Sequence, residues 1–113
     1  MLEKISHVVL LKDFYGPLLT QKQQDIMNLH YENDWSLSEI ADHMHTSRQA
    51  VFDMVKRAQA QLEELEEKLG VVEKFQLTRR RLTEVVDMLD QPELQQADID
   101  QAIKLLRELI GLL

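Results

Sequence analysis

"HMHTSRQAVFDMVKRAQ", residues 43–59, combines a tight turn, a helix start and a row of polar side chains along that helix. His45 falls where a turn between helices needs a left-handed backbone, which His adopts more often than most residues other than Gly. Ser47 can cap the following helix, because its hydroxyl accepts a hydrogen bond from an N–H of the first turn. The stretch therefore predicts a turn around His45 and a helix that starts after Ser47.

Another helix start lies just upstream of this turn. Ser36 and Glu39 have the spacing of a capping box, in which each side chain accepts from the backbone N–H of the other residue. Apolar residues then recur at i, i+3, i+4 and i+7, namely Leu37, Ile40, Ala41 and Met44. Residues 36–57 therefore predict a helix–turn–helix, whose second helix lies in the major groove when the motif binds DNA.

Two further helices are predicted before the motif. In residues 2–15 the apolar positions near one helical face are Ile5, Val8, Val9 and Leu11. Gly16 and Pro17 then end this helix. Thr20 and Gln23 have the spacing of a second capping box, so they predict the start of the next helix.

The helix that starts after Ser47 continues well beyond the motif. Its apolar residues repeat at spacings of 4, 3, 4, 3 and 4, as Val51, Val55, Ala58, Leu62, Leu65 and Leu69. This heptad seam predicts a helix that runs to Leu69 and ends at Gly70. We expect the seam to extend beyond the core of a small domain and to offer a surface to a partner helix.

The last third of the chain predicts two more helices, separated by Pro92. The first carries an apolar stripe of Phe75, Leu82, Val85, Val86 and Leu89. Apolar residues of the second are Ile99, Ala102, Ile103, Leu105, Leu106, Leu109, Ile110, Leu112 and Leu113. They cover about half of the helix circumference, which is wider than one packing neighbour requires. We therefore predict an all-α protein, with a helix–turn–helix domain at residues 1–70 and a C-terminal helical module for oligomerisation at residues 71–113.

Composition excludes several classes of protein. The 113 residues contain no cysteine, which excludes disulfides and thiolate chemistry. No run approaches the ~20 apolar residues that span a membrane, and the N-terminal run is too short for a signal peptide, so we expect a cytoplasmic protein without membrane association. Phosphate-binding loops and nucleophile motifs are absent, so we expect neither an enzyme nor a cofactor. His30, His43 and His45 lack a complementary acidic or cysteine ligand, so we expect no metal site.

The motif resembles known DNA-binding sequences. "SLSEIADHMHTSRQAVFDMVKRA" is similar to region 4 of bacterial sigma factors, which reads the −35 promoter element. "FYGPLLTQKQQDIMNLHYENDWSLSEIADHMHTSRQAVFDMVKR", with the later "LEEKLG" and "EKFQ", resembles the YlxM-type family of small bacterial proteins associated with the signal recognition particle. The resemblance covers roughly residues 1–76 and departs from the family pattern at His45 and Thr46. It implies a sigma-region-4-like fold and a DNA-binding regulator, and it implies a link to the particle through gene neighbourhood alone.

The candidate DNA contacts lie at the start of the helix that follows the turn. They are Ser47, Arg48, Gln49, Phe52, Asp53, Lys56 and Arg57. Arg suits guanine, Gln suits adenine and Phe suits the thymine methyl group, whereas Lys and Arg also bind phosphates. Asp53 could accept from a cytosine amino group, but it would repel phosphate.

The charge of the chain opposes DNA binding. Residues 47–61 carry a net charge of +2, from Arg48, Lys56 and Arg57 against Asp53, but residues 1–70 carry −5, from 7 basic and 12 acidic residues. A monomer would therefore bind DNA weakly, and we expect a homodimer, which would roughly double the phosphate contacts. Two hypotheses stay open: a DNA-binding regulator, or an adaptor that contacts the protein or RNA of the signal recognition particle.

A run of three arginines, Arg79, Arg80 and Arg81, lies outside the motif. Such a run could bind RNA or phosphate. On a helix it more often forms a solvated face that pairs with acids one turn away, here Glu84. We therefore predict a solvated face.

Overall fold

Six α-helices follow one another along the chain, and the residues that the structure describes contain no β-strand. The computed structural model describes the backbone of residues 2–113 and the side chains of residues 6–113, so the predicted contribution of Ile5 lies outside the described residues. The helices are α1 (Leu2–Tyr15), α2 (Gln21–Tyr31), α3 (Leu37–Met44), α4 (Arg48–Leu69), α5 (Val71–Leu89) and α6 (Gln96–Leu112), with a 3-10 turn at Gly16–Leu18. The prediction of an all-α protein is confirmed.

The chain forms two units, Met1–Val72 and Glu73–Leu113. The first unit contains α1 to α4 and the first residues of α5, and the second contains the rest of α5 and α6. None of the described helices is both long enough and apolar enough to cross a lipid bilayer.

The core of the first unit is built on α4, which packs against α1, α2 and α3. The large side chains with less than 2% exposure come from all four helices and from the start of α5: Leu11, Ile26, Met27, Ile40, Val51, Leu62 and Val72. Full burial of such a side chain stabilises the folded state by about 1.5–3 kcal/mol relative to exposure. Three neighbouring helices therefore determine which face of α4 is buried.

Side-chain caps begin α2 and α3. The Thr20 hydroxyl accepts from the N–H of Gln23 at 3.2 Å, and the Gln23 side chain accepts from the N–H of Thr20 at 3.0 Å. Ser36 and Glu39 repeat this arrangement at 3.1 and 3.0 Å. The hydrogen bonds to Ser36, first that from its backbone N–H, lower the pKa of the Glu39 carboxyl group. Both predicted capping boxes are confirmed.

The turn between α3 and α4 consists of residues 45–47. His45 adopts the predicted left-handed conformation, with φ of 54° and ψ of 47°. The N–H of Thr46 donates to the carbonyl of Ala41 at 3.0 Å, which closes the end of α3. The Ser47 hydroxyl then accepts from the N–H of Ala50 at 3.0 Å and begins α4. The predicted turn and cap are confirmed.

A hydrogen-bonded network joins α1 to the end of α4 and the start of α5. Gly70 ends α4 with a φ of 62°, as predicted, and α5 begins at the next residue. The first N–H groups of α5 find acceptors in side chains: Val71 donates to the Tyr15 hydroxyl at 3.1 Å, and Val72 donates to the Glu66 carboxylate at 3.0 Å. Tyr15 is 3% exposed, and its hydroxyl donates to the same carboxylate at 2.6 Å. Burial, followed by the hydrogen bond to Glu66, raises the pKa of Tyr15.

A buried ammonium group joins α1 to α2. Lys12 is 7% exposed, and its Nζ donates to Oδ1 of Asn28 at 2.9 Å and to Oε1 of Glu32 at 2.5 Å. A buried charge is strongly unfavourable unless it is paired and hydrogen-bonded. Asn28 and Glu32 lie one turn apart at the end of α2, so they bind the same ammonium group and hold α1 against that helix.

The heptad seam of α4 is mostly covered within its own unit. Val51, Val55, Ala58 and Leu62 are buried and Leu65 packs against the same core. Leu69, at 57% exposure, is the exposed member of the seam. The expectation that the seam extends beyond the domain core is wrong, because α1 lies beside the second half of α4. The contact between His7 of α1 and Glu63 of α4, at 3.0 Å, shows this packing.

The second unit is a pair of helices with a small core. Val85 of α5 packs with Ala102 and Leu105 of α6, and Met88 packs against them. In the apolar stripe of α5, Val85 is buried, whereas its other members are 40–59% exposed, namely Phe75, Leu82, Val86 and Leu89. The side of α5 that faces α6 is thus rotated from the centre of the stripe.

We predict that Ile40→Asp unfolds the first unit. Ile40 is fully buried between α3 and α4, and an unpaired carboxylate there costs several kcal/mol, comparable with the ~5–15 kcal/mol stability of a whole domain. Circular dichroism and thermal melting test this. Ser38→Asp, an exposed change on the same helix, is the control and should melt cooperatively. A cooperative melt of Ile40→Asp would contradict the assigned core.

We predict that Tyr15→Phe lowers the free energy of unfolding by about 1–3 kcal/mol, because the Val71 N–H loses its acceptor and Glu66 loses a donor. The raised pKa of Tyr15 gives a pH dependence as well. Since folding favours the neutral phenol, its contribution is complete below the ordinary pKa of 10.0 and is lost as the pH rises through the higher folded-state pKa.

Urea unfolding at pH 8 and above pH 10 measures both effects. The variant should be less stable at pH 8 and should lose less stability on alkaline titration than the unmodified chain. Tyr31→Phe is the control at pH 8, because the hydroxyl of Tyr31 bonds to Gln59 and lies outside this network. Burial also raises the pKa of Tyr31, so the alkaline comparison is made between Tyr15→Phe and the unmodified chain. Equal alkaline losses in Tyr15→Phe and the unmodified chain would contradict the role assigned to Tyr15.

Candidate nucleic-acid interface

The first half of α4 packs against α3. Ile40 and Ala41 of α3 lie in one core cluster with Val51 and Val55 of α4. The turn between the two helices is three residues long, residues 45–47, which is too short to separate them. The position of α4 over α3 is therefore set by a capped turn and a buried contact, as a helix–turn–helix requires.

The outward face of α4 is defined here by the seven candidate residues. All of them are exposed: Ser47, Arg48, Gln49, Phe52, Asp53, Lys56 and Arg57. Gln49, Asp53 and Lys56 lie opposite the buried positions at spacings of four and three residues, and Phe52 and Arg57 flank them. Arg48 lies in the first turn, nearer the edge of the face. All seven residues are thus exposed, and Gln49, Phe52, Asp53, Lys56 and Arg57 share the outward side of α4.

Two side-chain pairs on this face were missed by the sequence analysis. Nε2 of Gln49 donates to Oδ1 of Asp53 at 3.0 Å. The ammonium of Lys56 lies 5.5 Å from the ring centroid of Phe52, within cation–π distance. Both pairs are at i, i+4, and this spacing could have identified them. The Gln49 amide keeps a second N–H and its Oε1 for a base, and Phe52 holds Lys56 along the helix.

The cations of the outward face are available to an anion. Within the described part of the chain, Arg48, Lys56 and Arg57 take part in no salt bridge. Asp53 is the acidic member of the face and accepts a hydrogen bond from Gln49. The face therefore presents three basic groups around one carboxylate.

The three histidines near the motif have separate structural contacts. Nδ1 of His30 is 2.9 Å from the carbonyl oxygen of Trp35, and the ring of His43 packs edge-on against the Trp35 indole at 5.3 Å. His45 forms the left-handed turn. The described side chains include no group of three or more His, Cys, Asp or Glu residues that could hold a metal ion.

The arginine run of α5 is exposed, and one of its members forms the predicted pair. Nη1 of Arg81 lies 3.2 Å from a carboxylate oxygen of Glu84, one turn along α5. Arg79 and Arg80 are exposed on the same helix. Arg81 therefore lies on a solvated helix face and pairs with Glu84, as predicted.

Comparison with known proteins gives related sequences over most of the chain. Residues 2–106 match the family UPF0122, described as "Putative helix-turn-helix protein, YlxM / p13 like". The UPF0122 protein of Acetivibrio thermocellus is 41% identical over 101 residues, which is 89% of this chain and 86% of that protein. The UPF0122 proteins of Bacillus cereus strain AH187 and Bacillus anthracis strain A0248 are each 42% identical over 109 residues, which is 96% of this chain and 99% of theirs. The chain therefore belongs to the YlxM / p13-like family of helix-turn-helix proteins.

Proposed function

We propose that this protein is a non-enzymatic, cytoplasmic DNA-binding regulator connected to the signal recognition particle, and that it reads sequence by placing α4 in the major groove. The observation that carries the proposal is the two-sided start of α4. One side is fixed by the Ser47 cap and by the buried contacts with α3, and the other exposes Arg, Gln and Lys side chains, which are suited to bases and phosphates. The link to the particle is supported by the resemblance to the YlxM-type family.

The proposed roles follow from position along α4. Arg48 and Gln49 lie in the first turn, the part of a recognition helix that meets base edges, so they contact guanine and adenine. Phe52 contacts a thymine methyl group. Lys56 and Arg57 lie about two turns after Arg48 and Gln49 and bind phosphates, as does the hydroxyl of Ser47 at the helix start.

Asp53 makes the recognition conditional. Its carboxylate already accepts from Gln49, and it would repel a nearby phosphate. In the groove it would also accept from a cytosine amino group, while the second N–H and Oε1 of Gln49 bind adenine. A DNA site that lacks a cytosine at this position leaves the carboxylate with Gln49 as its donor and no donor from the base, so Asp53 supports discrimination at the expense of affinity.

Low affinity of a single copy is part of the proposal. The whole chain has a net charge of −7, and three cations on the outward face release few counterions from DNA. We therefore propose that the protein binds as a homodimer, with two copies of α4 at half-sites about one helical turn of DNA apart. Two copies would roughly double the number of phosphate contacts.

The second candidate function is an adaptor that uses the same fold to contact the protein or RNA of the signal recognition particle. The acidic second half of α4 favours this candidate, because Glu63, Glu64 and Glu67 are exposed on it and suit a basic partner. The adaptor should co-purify with the particle's GTPase or RNA after nuclease removal of DNA. The regulator should instead shift genomic DNA fragments in a gel at physiological salt.

We predict that replacing Arg48 and Gln49 together by Ala removes selectivity between DNA sequences and leaves the fold intact, because both side chains are exposed. Each lost base contact should reduce discrimination by about 1–3 kcal/mol. Fluorescence anisotropy with the best genomic fragment and a scrambled fragment measures the effect. Unchanged discrimination in the double variant would show that α4 does not read the bases.

Lys56→Ala should weaken binding to all sequences alike and reduce the salt dependence by about one phosphate contact. Lys68→Ala is the matched control, because it removes the same charge from an exposed position about 18 Å further along α4, at about 1.5 Å per residue. Anisotropy titrations at several salt concentrations test both variants. Equal effects at the two positions would indicate a response to net charge rather than a contact at Lys56.

Asp53→Asn should increase binding to unrelated DNA severalfold, because it removes a carboxylate that repels phosphate. Discrimination should fall at the same time, since an amide no longer requires a cytosine amino group. The matched control is Glu67→Gln, which makes the same charge change at an exposed position late in α4. A uniform loss of affinity in Asp53→Asn would contradict the role proposed for this carboxylate.

A further inference from the structure

We propose that the second unit binds a second copy of this chain through the apolar face formed by the exposed sides of α5 and α6, so that two helix pairs make a four-helix bundle. The role of this dimer interface in DNA binding rests on the proposed function, whereas the interface itself does not. The exposed residues of α5 on this face are Leu82, Val86 and Leu89, and those of α6 are Ile103, Leu106 and Ile110. We call this surface the apolar face of the second unit.

α6 carries two apolar sides, and the intrachain contacts of its unit bury only one. Ala102, Leu105 and Leu109 are buried. A second series, Ile99, Ile103, Leu106, Ile110 and Leu113, has the heptad spacings 4, 3, 4 and 3, and its last four members are 36–79% exposed. At ~100° per residue the two sides lie about 90° apart around the helix. Heptad spacing is the pattern by which a helix packs along another helix.

α5 has the same organisation. Val85 and Met88 face α6, whereas Leu82, Val86 and Leu89, at spacings of four and three residues, are 40–59% exposed. The exposed side again lies about 90° from the buried side at ~100° per residue. Each helix of the pair therefore has one apolar side for its intrachain neighbour and another that remains exposed.

The two exposed sides lie on the same surface of the helix pair. α5 and α6 run antiparallel, because Val85 packs with Ala102 while Leu77 lines a groove together with Leu109 and Leu112. In each helix the exposed side is rotated from the buried side in the same sense when viewed from its own N-terminus. For two antiparallel helices this rotation turns both exposed sides toward one surface. The apolar face is thus continuous over both helices.

The dimensions of this face fit a second copy. Helices of this length at about 1.5 Å per residue and about 10 Å apart give a surface about 25 Å long and about 20 Å wide. This area of about 500 Å² is below the ~800 Å² that each partner contributes to a standard protein interface, so the dimer belongs to the class of smaller, weaker interfaces. The largest apolar patch on a monomeric protein is ordinarily about 300–600 Å², and such patches often mark interaction sites.

The small core of the second unit also favours a partner. Val85, Ala102 and Leu105 form its buried cluster, and the chain contains no cysteine that could cross-link it. Units of about 40 residues usually need disulfides, metals or oligomerisation to be stable. The paired face would add a second apolar layer to this core, as in bundles of four helices.

Charge selects a second copy as the occupant. Arg79 lies at the middle of α5 and Asp90 just after its end, and at ~100° per residue both border the apolar face on the same edge. An edge with this distribution of charge is complementary to itself when antiparallel. A two-fold axis across the helices would place Arg79 of one copy near Asp90 of the other, as an isologous interface requires.

The test is the oligomeric state of the full chain without DNA, by sedimentation equilibrium at micromolar concentration. The unmodified chain should sediment at twice its 13.3 kDa mass. Ile110→Arg should weaken self-association at least about 100-fold, since burial of two unpaired guanidinium groups is strongly unfavourable. Ile110 is 72% exposed, so the helix content by circular dichroism should stay unchanged.

Two controls locate the interface. Gln101→Arg places the same group on the opposite side of α6, and Leu69→Arg places it on the exposed end of the α4 seam. Both variants should remain dimers. A monomeric unmodified chain, or a dimer that Leu69→Arg dissociates and Ile110→Arg does not, would overturn the proposal. Because DNA is absent, a failure of dimerisation is distinct from a failure of DNA binding, which the anisotropy titrations measure.

Discussion

Burial of one side of α4 is the constraint on which the first unit depends. Val51, Val55, Ala58 and Leu62 are 0–5% exposed, and α1, α2 and α3 each pack against this helix. Because the rotation of α4 about its axis is determined by these contacts, the opposite side must face solvent. The exposure of Gln49, Asp53 and Lys56 is therefore a consequence of core packing. The same contacts that bury one side of α4 also fix the orientation of the candidate interface on the other side.

Polar side chains complete this arrangement at the helix ends. Thr20, Ser36 and Ser47 each supply an acceptor to a first-turn N–H, and Tyr15 and Glu66 do the same for α5. Unsatisfied N–H groups at these positions would be costly near a core. The caps consequently limit where each helix can begin. The Ser47 cap matters most for function, because it determines which residues occupy the first turn of α4.

Electrostatics limits what the outward face of α4 can do by itself. Three cations lie around the Asp53 carboxylate, in a chain of net charge −7. The proposed dimer and the proposed use of Asp53 as a selective acceptor address the same problem from two sides. One increases the number of phosphate contacts, and the other makes non-matching DNA less favourable. Both proposals are consistent with a protein that discriminates between DNA sequences although each copy binds DNA weakly.

The sequence by itself determined the features that depend on neighbouring residues: the capping boxes, the left-handed His45 and Gly70, and the helix–turn–helix. Contacts between distant residues were decided only by the tertiary structure. Tyr15 and Glu66 are 51 positions apart, and α1 covers a seam of α4 that periodicity alone predicts to be exposed. The same limit applies to α5 and α6, because apolar spacing reveals two possible sides, and only packing selects Val85 over Leu82 for the interior.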